Sequence, residues 1–201
     1  MISTETYKEI QGWLSDKEAQ ALQIIADGAS VVEVGCWKAK SSIAMAATAR
    51  SVLTIDHFRG DFYAGLAFTL PEAIENIRRY DSDGKISILV QDFFGIKEGK
   101  IKDMIMLSDV LYYDGDHSEQ SVRQFTDFVI DFDNMPIFAF HDYESSPVYQ
   151  SGKDVFDAFV KELIDHGFDS DCLVVIERLA IIVPPHYRPK VQKRLERLAH
   201  D

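Results

Sequence analysis

The charge balance of the chain restricts its partners before any motif is considered. Its 201 residues include 33 Asp and Glu against 21 Lys and Arg, a formal net charge of −12, and such a surface repels phosphate backbones and anionic membranes. No apolar run approaches the roughly 18 residues of a membrane span, and the 46% hydrophobic content suits one substantial core. We therefore expect a soluble, cytoplasmic, single-domain protein over residues 1–201 that binds neither nucleic acid nor membrane.

Residues 1–28 predict a helical flank, interpreted as a lid over the sheet. Ser15 and Glu18 have the spacing of a capping box, which marks the start of a helix. The apolar face of that helix comprises Ala21, Leu22 and Ile25. A shorter helix is expected before it, with an apolar side formed by Ile10, Trp13 and Leu14.

The predicted core covers residues 31–183, where short apolar runs alternate with amphipathic helices. Five β-then-α units indicate a parallel sheet with helices on both faces. Only Glu177 and Arg178 separate the last two strands, which predicts an antiparallel hairpin. The predicted strands are Val31–Val34, Val52–Ile55, Ile86–Val90, Val110–Tyr113, Ile137–Phe140, Leu173–Ile176 and Leu179–Val183.

Residues 186–201 predict a C-terminal helix. Its apolar stripe of Val191, Leu195 and Leu198 lies among basic residues, so we expect a helix that docks on the core or joins two copies in a homodimer. The two cysteines, Cys36 and Cys172, are too few for a disulfide framework or a thiolate metal site. We interpret both as small buried residues.

Polar residues follow each of the first five strands. We do not include the turn of the hairpin among these candidate site residues. They are Glu33 and Gly35; Asp56 and His57; Gln91 and Asp92; Asp114, Asp116 and His117; and His141, Asp142 and Glu144. Each alone is an ordinary turn residue. Because the carboxyl ends of parallel strands share one edge of a sheet, five in succession predict a ligand crevice there.

The first loop favours one class of ligand. Trp37 would obstruct a pyrophosphate after Gly35, whereas the carboxylate of Glu33 suits an ammonium group. The helix start at Ser41 suits a carboxylate. Ammonium and carboxylate together form an amino acid headgroup.

Two acids extend that interpretation to a nucleoside. Asp56 is placed to accept hydrogen bonds from ribose hydroxyls, and Asp92 could accept from the adenine amine. A nucleoside that carries an amino acid and no phosphate is S-adenosylmethionine.

At this point the chain resembles a known family. The segments that carry the resemblance are Glu33-Val-Gly-Cys-Trp-Lys-Ala-Lys-Ser-Ser, Ile55-Asp56, Gln91-Asp92, Tyr113-Asp114-Gly115-Asp116-His117 and Phe140-His141-Asp142-Tyr143. They look like the class I S-adenosylmethionine-dependent methyltransferases, in the branch called methyltransferase domain family 24, which is related to the catechol-type O-methyltransferases. The resemblance implies a seven-stranded, Rossmann-like methyltransferase sheet over residues 31–183.

By matching position, the resemblance also implies residue roles. The methionine part of the cofactor would contact Glu33, Gly35, Trp37 and Ser41, the ribose Asp56, and the adenine Gln91, Asp92 and Phe93. We include the neighbouring Cys36, His57 and Asp114 in the expected cofactor site.

The same relatives place a magnesium ion between two acids that map to Asp114 and Asp142, and their catalytic lysine maps to His117. The chain departs from them at Tyr143, where they have an asparagine, and at Ala39, where they have a glycine.

The leading hypothesis is an O-methyltransferase acting on a small hydroxylated acceptor, such as a sugar or another metabolite. His117 would take the hydroxyl proton, with Asp114 beside it, and a bound ion would orient the acceptor. Two alternatives stay open: a catalytically silent protein that binds S-adenosylmethionine, and a metal-dependent hydrolase. His57 and His141 could each contact the substrate or form local hydrogen bonds. Residues 58–66 could form a substrate loop or a packed surface loop.

Overall fold

A seven-stranded mixed sheet runs through the protein. The computed structural model describes residues 5–60, 65, 67–81, 83–96, 99–130, 132, 135–144 and 146–200. The strands are β1 (Ser30–Val34), β2 (Ser51–Asp56), β3 (Ile86–Val90), β4 (Val110–Tyr113), β5 (Ile137–Phe140), β6 (Leu173–Ile176) and β7 (Leu179–Ile182). Their order across the sheet is β3-β2-β1-β4-β5-β7-β6. All seven predicted strands are confirmed, with four ends displaced by one residue.

The first five strands are parallel, and β7 inserts antiparallel between β5 and β6. Because β6 and β5 both pair antiparallel with β7, β6 runs in the same direction as β5. The turn between β6 and β7 therefore lies at the edge of the sheet where the parallel strands end.

Helices cover both faces of the sheet, as predicted. They are α1 (Asp16–Ala26), α2 (Lys40–Ala46), α3 (Leu70–Tyr80), α4 (Lys100–Met106), α5 (Glu119–Ile130), α6 (Gln150–Asp165) and α7 (Arg188–His200). Alternate strand residues pack on opposite faces, so that Val31 lies in the core with α1 and α2, and Val32 in the core with α5 and α6. None of the helices in the described part of the chain is long and apolar enough to cross a membrane.

The N-terminal segment confirms one prediction and corrects another. Ser15 and Glu18 form the capping box of α1, each side chain bonded to the backbone of the other. The short helix expected around Trp13 is wrong: a 3₁₀ turn covers Thr6–Glu9, and residues 10–15 are not helical. Without a helical face there, Trp13 turns outward and is 62% exposed.

The apolar stripe of α7 is covered within the chain. Val191 and Leu195 are buried, and Leu198 is partly buried, in the core that also contains α1. This packing explains the stripe without a second copy, and the homodimer stays a prediction. Both cysteines are buried and unpaired, as expected.

A glycine lets α6 approach the turn after β4. A Cβ atom on Gly152 would lie 2.4 Å from the carbonyl oxygen of His117 and 3.1 Å from a methyl group of Val122. Since the nearer atom belongs to the backbone, it has little freedom to yield.

We expect Gly152→Ala to lower the free energy of unfolding by about 1–3 kcal/mol, because overpacking exceeds the roughly 1 kcal/mol gained in helix propensity. Urea denaturation measures the difference. Ser151→Ala, at an exposed position of the same helix, is the control and should stay within about 0.5 kcal/mol of the parent. Equal stability of the Gly152→Ala variant and the parent would show that α6 has room for the methyl group.

Candidate active site

A cavity of about 360 Å³ opens at the carboxyl ends of β1, β2, β4 and β5. This confirms the crevice expected from the polar strand ends, and its volume is that of an ordinary small-molecule site. Most of the predicted site residues line it: Gly35, Cys36, Trp37, Ser41, Asp56, His57, Asp114, His117 and Asp142. His141, Arg178 and the N-terminal residues 12–14 also line it.

Gly35 lets the loop after β1 contact the loop after β4. Its φ of 89° favours glycine, and a Cβ atom there would lie 2.0 Å from the carbonyl oxygen of Asp114. Trp37 and Ala39 also have left-handed backbones, with φ of 47° and 68°. The loop thus has a fixed path, which presents Trp37 at the cavity.

Asp56 braces this loop from β2. Its Oδ2 accepts hydrogen bonds from the backbone N–H groups of Cys36 at 2.8 Å and Trp37 at 2.9 Å, and its Oδ1 accepts from Phe58 at 2.6 Å. Because Oδ1 accepts one bond, it retains acceptor capacity toward the cavity. The expected ribose contact stays a prediction, and the loop bracing is a further role.

Glu33 lies behind the cavity instead of lining it. The side chain is fully buried, and the hydroxyl groups of Ser41 and Ser42 donate to its two oxygens. Burial raises the pKa of Glu33 to about 7, although the hydroxyl donors oppose the shift. An ammonium group of a bound ligand would therefore contact the hydroxyl of Ser41, which lines the cavity, and not Glu33 itself.

The three residues expected at adenine are not among the described residues lining the cavity. Gln91 and Asp92 are exposed, and Asp92 caps a 3₁₀ turn over Phe93–Gly95. Phe93 is buried against Phe125 and Phe128. The adenine contacts stay predictions.

His57, Phe58 and Gly60, which follow β2, also line the cavity. The Nδ1 atom of His57 accepts a hydrogen bond from the backbone N–H of Arg59 at 3.1 Å, as a local hydrogen bonder would. Of the candidate substrate loop, residues 61–64 and 66 lie outside the described residues.

A buried histidine joins the acids at the strand ends. His141 Nδ1 lies 3.1 Å from Oδ1 of Asp114 and 3.4 Å from Oδ1 of Asp142, and its Nε2 lies 3.4 Å from Oε2 of Glu18. Burial disfavours the charged ring, but Asp114 and Glu18 outweigh it and raise the pKa of His141 to about 10. Burial likewise opposes ionisation of Glu18 and Asp114, yet His141 holds the pKa of each at about 2.

The structure adds two residues that the sequence analysis gave no site role. Glu18, known from the sequence only as a cap, is fully buried next to His141, and its Oε1 accepts from the backbone N–H of Arg178 at 3.0 Å. The Arg178 guanidinium donates to Asp142 Oδ1 at 2.9 Å and to the Trp13 carbonyl oxygen at 2.8 Å. The sequence analysis counted polar residues after the first five strands and left out the hairpin turn, yet this turn supplies a cation to the cavity. Knowing that β6 runs parallel to β5 would have placed the turn at this edge of the sheet.

His117 faces this cluster with a defined tautomer when it is neutral. Its Nε2 lies 3.0 Å from the backbone carbonyl oxygen of His141, and because a carbonyl only accepts, Nε2 carries the hydrogen. The lone pair of the neutral ring is then on Nδ1. His117, Asp114 and Asp142 each offer a ligand atom, and these atoms lie within 4.8 Å of one another.

Asp142 is held by a strained backbone, with φ of 51° in a residue that is not glycine. Burial raises its pKa, although the positive His141 and Arg178 oppose the shift. Backbone strain and a shifted pKa are typical of functional positions, and the role of Asp142 stays a prediction.

Comparison with known proteins finds likeness in structure and not in sequence. No family model matches the chain, and no curated protein sequence matches it. Among solved structures, an O-methyltransferase from Streptomyces achromogenes, TomG, involved in tomaymycin synthesis and in complex with SAM, has 13% identity and a TM-score of 0.58, over 90% of this chain and 87% of that one. An O-methyltransferase from Bacillus cereus in complex with SAH has 14% identity and a TM-score of 0.56, over 89% and 90%.

The chain has the methyltransferase fold. This confirms the Rossmann-like, seven-stranded sheet that the resemblance implied. Precorrin 8w decarboxylase from Methanobacterium thermoautotrophicum shares the fold, with 15% identity and a TM-score of 0.55 over 90% of this chain and 98% of that one. A fold does not determine a reaction, so the activity must be argued from the site.

The raised pKa of Glu33 predicts a pH-dependent stability. Between the ordinary value of 4.5 and about 7, the folded protein keeps a proton that the unfolded chain has released, so this group lowers stability as pH rises. We expect Glu33→Gln to remove that loss, on the order of 3 kcal/mol by pH 8. Urea denaturation from pH 4.5 to 8 measures it.

Ser42→Ala is the matched variant, because it removes a hydroxyl donor but keeps the carboxylate. It should retain the downward slope of stability with pH. Parallel pH profiles for the parent and Glu33→Gln would mean that Glu33 is ionised in the folded protein at low pH.

Proposed function

We propose that this protein is an S-adenosylmethionine-dependent methyltransferase that methylates a hydroxyl group of a small molecule. One observation carries the proposal: in a single cavity, the braced loop after β1 faces a histidine whose Nδ1 is free to accept a proton. Both O-methyltransferase neighbours in complex with SAM or SAH support this assignment.

The cofactor would occupy the side of the cavity formed by β1 and β2. The backbone N–H groups at the start of α2, where Ser41 lies, would contact the methionine carboxylate. The Ser41 hydroxyl donates its hydrogen to Glu33 and would accept from the ammonium group of the cofactor. Asp56 would accept from the ribose. Gly35, Cys36, Trp37, His57 and Asp114 complete the proposed cofactor wall.

The acceptor would occupy the side formed by β4 and β5. When bound, the cofactor supplies a sulfonium methyl group for an in-line displacement, so the protein must orient the acceptor and remove its proton. His117 is the proposed base: the hydroxyl proton passes to its Nδ1 while Nε2–H stays bonded to the carbonyl oxygen of His141. Asp114 and Asp142 lie close to the imidazole ring and would stabilise the imidazolium that forms.

Calorimetric titration with S-adenosylmethionine tests the cofactor assignment. We expect micromolar binding to the parent, weakened about tenfold or more in Asp56→Ala, which loses both the ribose acceptor and the brace of the loop. Asp27→Ala is the control, since Asp27 pairs with Arg194 at the far end of α1. Absence of binding to the parent would reject the cofactor assignment and favour the hydrolase alternative.

Methyl transfer to a panel of sugars and other hydroxylated metabolites tests the reaction. His117→Ala should lose about 10²–10⁴-fold in rate, the usual contribution of a general base, while its cofactor affinity stays near that of the parent. Cofactor binding without turnover by the parent on any acceptor would favour the catalytically silent alternative. Full activity in His117→Ala would remove the base from the proposal.

A further inference from the structure

Arg178 and His141 already hold the two acids between which the relatives place a metal ion. Arg178 donates to Oδ1 of Asp142 at 2.9 Å. Nδ1 of His141 lies 3.1 Å from Oδ1 of Asp114, whose Oδ2 accepts from the Tyr112 hydroxyl at 3.0 Å. Both carboxylates therefore already accept hydrogen bonds from side chains of the protein.

The hydrogen bonds of His141 define its charge. Its Nδ1 faces the carboxylate of Asp114 and its Nε2 faces that of Glu18, and the ring is 3% exposed. An ionised carboxylate only accepts hydrogen bonds, so both ring nitrogens must carry hydrogen. His141 is thus a cation enclosed by acids.

Arg178 is fixed in position by contacts on three sides. Its guanidinium bridges Asp142 and the Trp13 carbonyl oxygen, and its backbone N–H donates to Glu18. Its side chain is 32% exposed, at the cavity wall. The positive charge is therefore held at Asp142 by the hairpin turn and the N-terminal segment together.

The donor set has the spacing for a divalent ion but not the charge. Ligand atoms of Asp114, His117 and Asp142 lie within 4.8 Å of one another, yet an ion among them would be close to two resident cations. The cluster without an ion has three carboxylates and two cations, so its charge is already nearly balanced. The residues present do not fit a resident magnesium ion.

The departure at Tyr143 supports the same conclusion. In the relatives this position carries an asparagine beside the second metal acid. Here the Tyr143 hydroxyl donates to Asp157 of α6 at 2.7 Å, so the side chain is engaged away from Asp142.

We propose that Arg178 and His141 are built-in counter-ions of Asp142 and Asp114, which make the site independent of a divalent metal. Both act as positioning residues: they fix the carboxylates around His117, and their charges favour the acceptor oxygen as it loses its proton. The statement about the reaction rests on the proposed methyltransferase function. The statement about metal binding does not.

Manganese titration of the full-length protein, followed by electron paramagnetic resonance without cofactor, is the direct test. The parent should show no stoichiometric Mn²⁺ binding at millimolar ion. Micromolar binding at one site, abolished by Asp142→Asn, would overturn the proposal.

Removing one counter-ion should create the affinity that the parent lacks. We expect Arg178→Met to show the one-site Mn²⁺ binding at millimolar ion that the parent lacks, because the variant removes a donor to Asp142 and a positive charge next to the ion. Arg194→Met is the matched control, since Arg194 pairs with Asp27 outside the cavity. A merely structural role for Arg178 would raise no metal affinity, and this outcome would contradict the proposal.

The two proposals can fail separately. S-adenosylmethionine titration with and without a chelator reports the cofactor site, and absence of binding in both conditions would affect the methyltransferase proposal alone. For an active enzyme, unchanged turnover after chelation supports the counter-ion proposal, and turnover abolished by the chelator and restored by Mg²⁺ would overturn it. If Arg178→Met does not fold, the Mn²⁺ titration of the parent still tests whether the site binds a divalent metal.

Discussion

The buried contact between His141 and Glu18 connects the N-terminal helix to the edge of the sheet that forms the cavity. Glu18 caps α1 through the backbone of Ser15 and at the same time approaches the imidazole of a residue that follows β5. Both groups are shielded from water, so their charges are stabilised by each other and by neighbouring protein groups. Removing one would leave an uncompensated buried charge, which costs far more than the pair contributes.

The same constraint extends to the loop after β1. The Asp114 carboxylate is held by His141. The backbone carbonyl oxygen of Asp114 occupies the space that a side chain on Gly35 would need. Asp56 fixes the other side of that loop through backbone N–H groups. The proposed cofactor wall and the acid cluster therefore share Asp114, and neither can shift without moving the other.

Local patterns in the sequence were sufficient for the strands and for most of the cavity wall. Apolar runs define buried strands, and the polar residue after a parallel strand must lie at the shared edge, which is why Asp56, Asp114 and Asp142 were placed correctly at the cavity. Glu33 was expected at the cavity but lies behind it. Neighbouring residues in a strand point to opposite faces, and both faces of this strand are buried.

Contacts that span the chain could not be predicted in this way. Arg178 is 160 residues from Glu18 in sequence, and its role depends on β7 inserting between β5 and β6, which no local pattern specifies. Trp13 was assigned to an apolar helix face from its spacing to Ile10 and Leu14, but residues 10–15 are not helical. The first failure concerns where elements meet, and the second concerns whether an element forms.

The chain contains two tryptophans, and both lie at the mouth of the cavity. The ring centroids of Trp13 and Trp37 are 4.7 Å apart, with one ring on the N-terminal segment and the other on the loop after β1. Intrinsic tryptophan fluorescence of this protein therefore arises entirely from the wall of this cavity. Any molecule that enters the cavity or separates these two rings acts on the whole of that emission, so the protein carries its own optical reporter of occupancy.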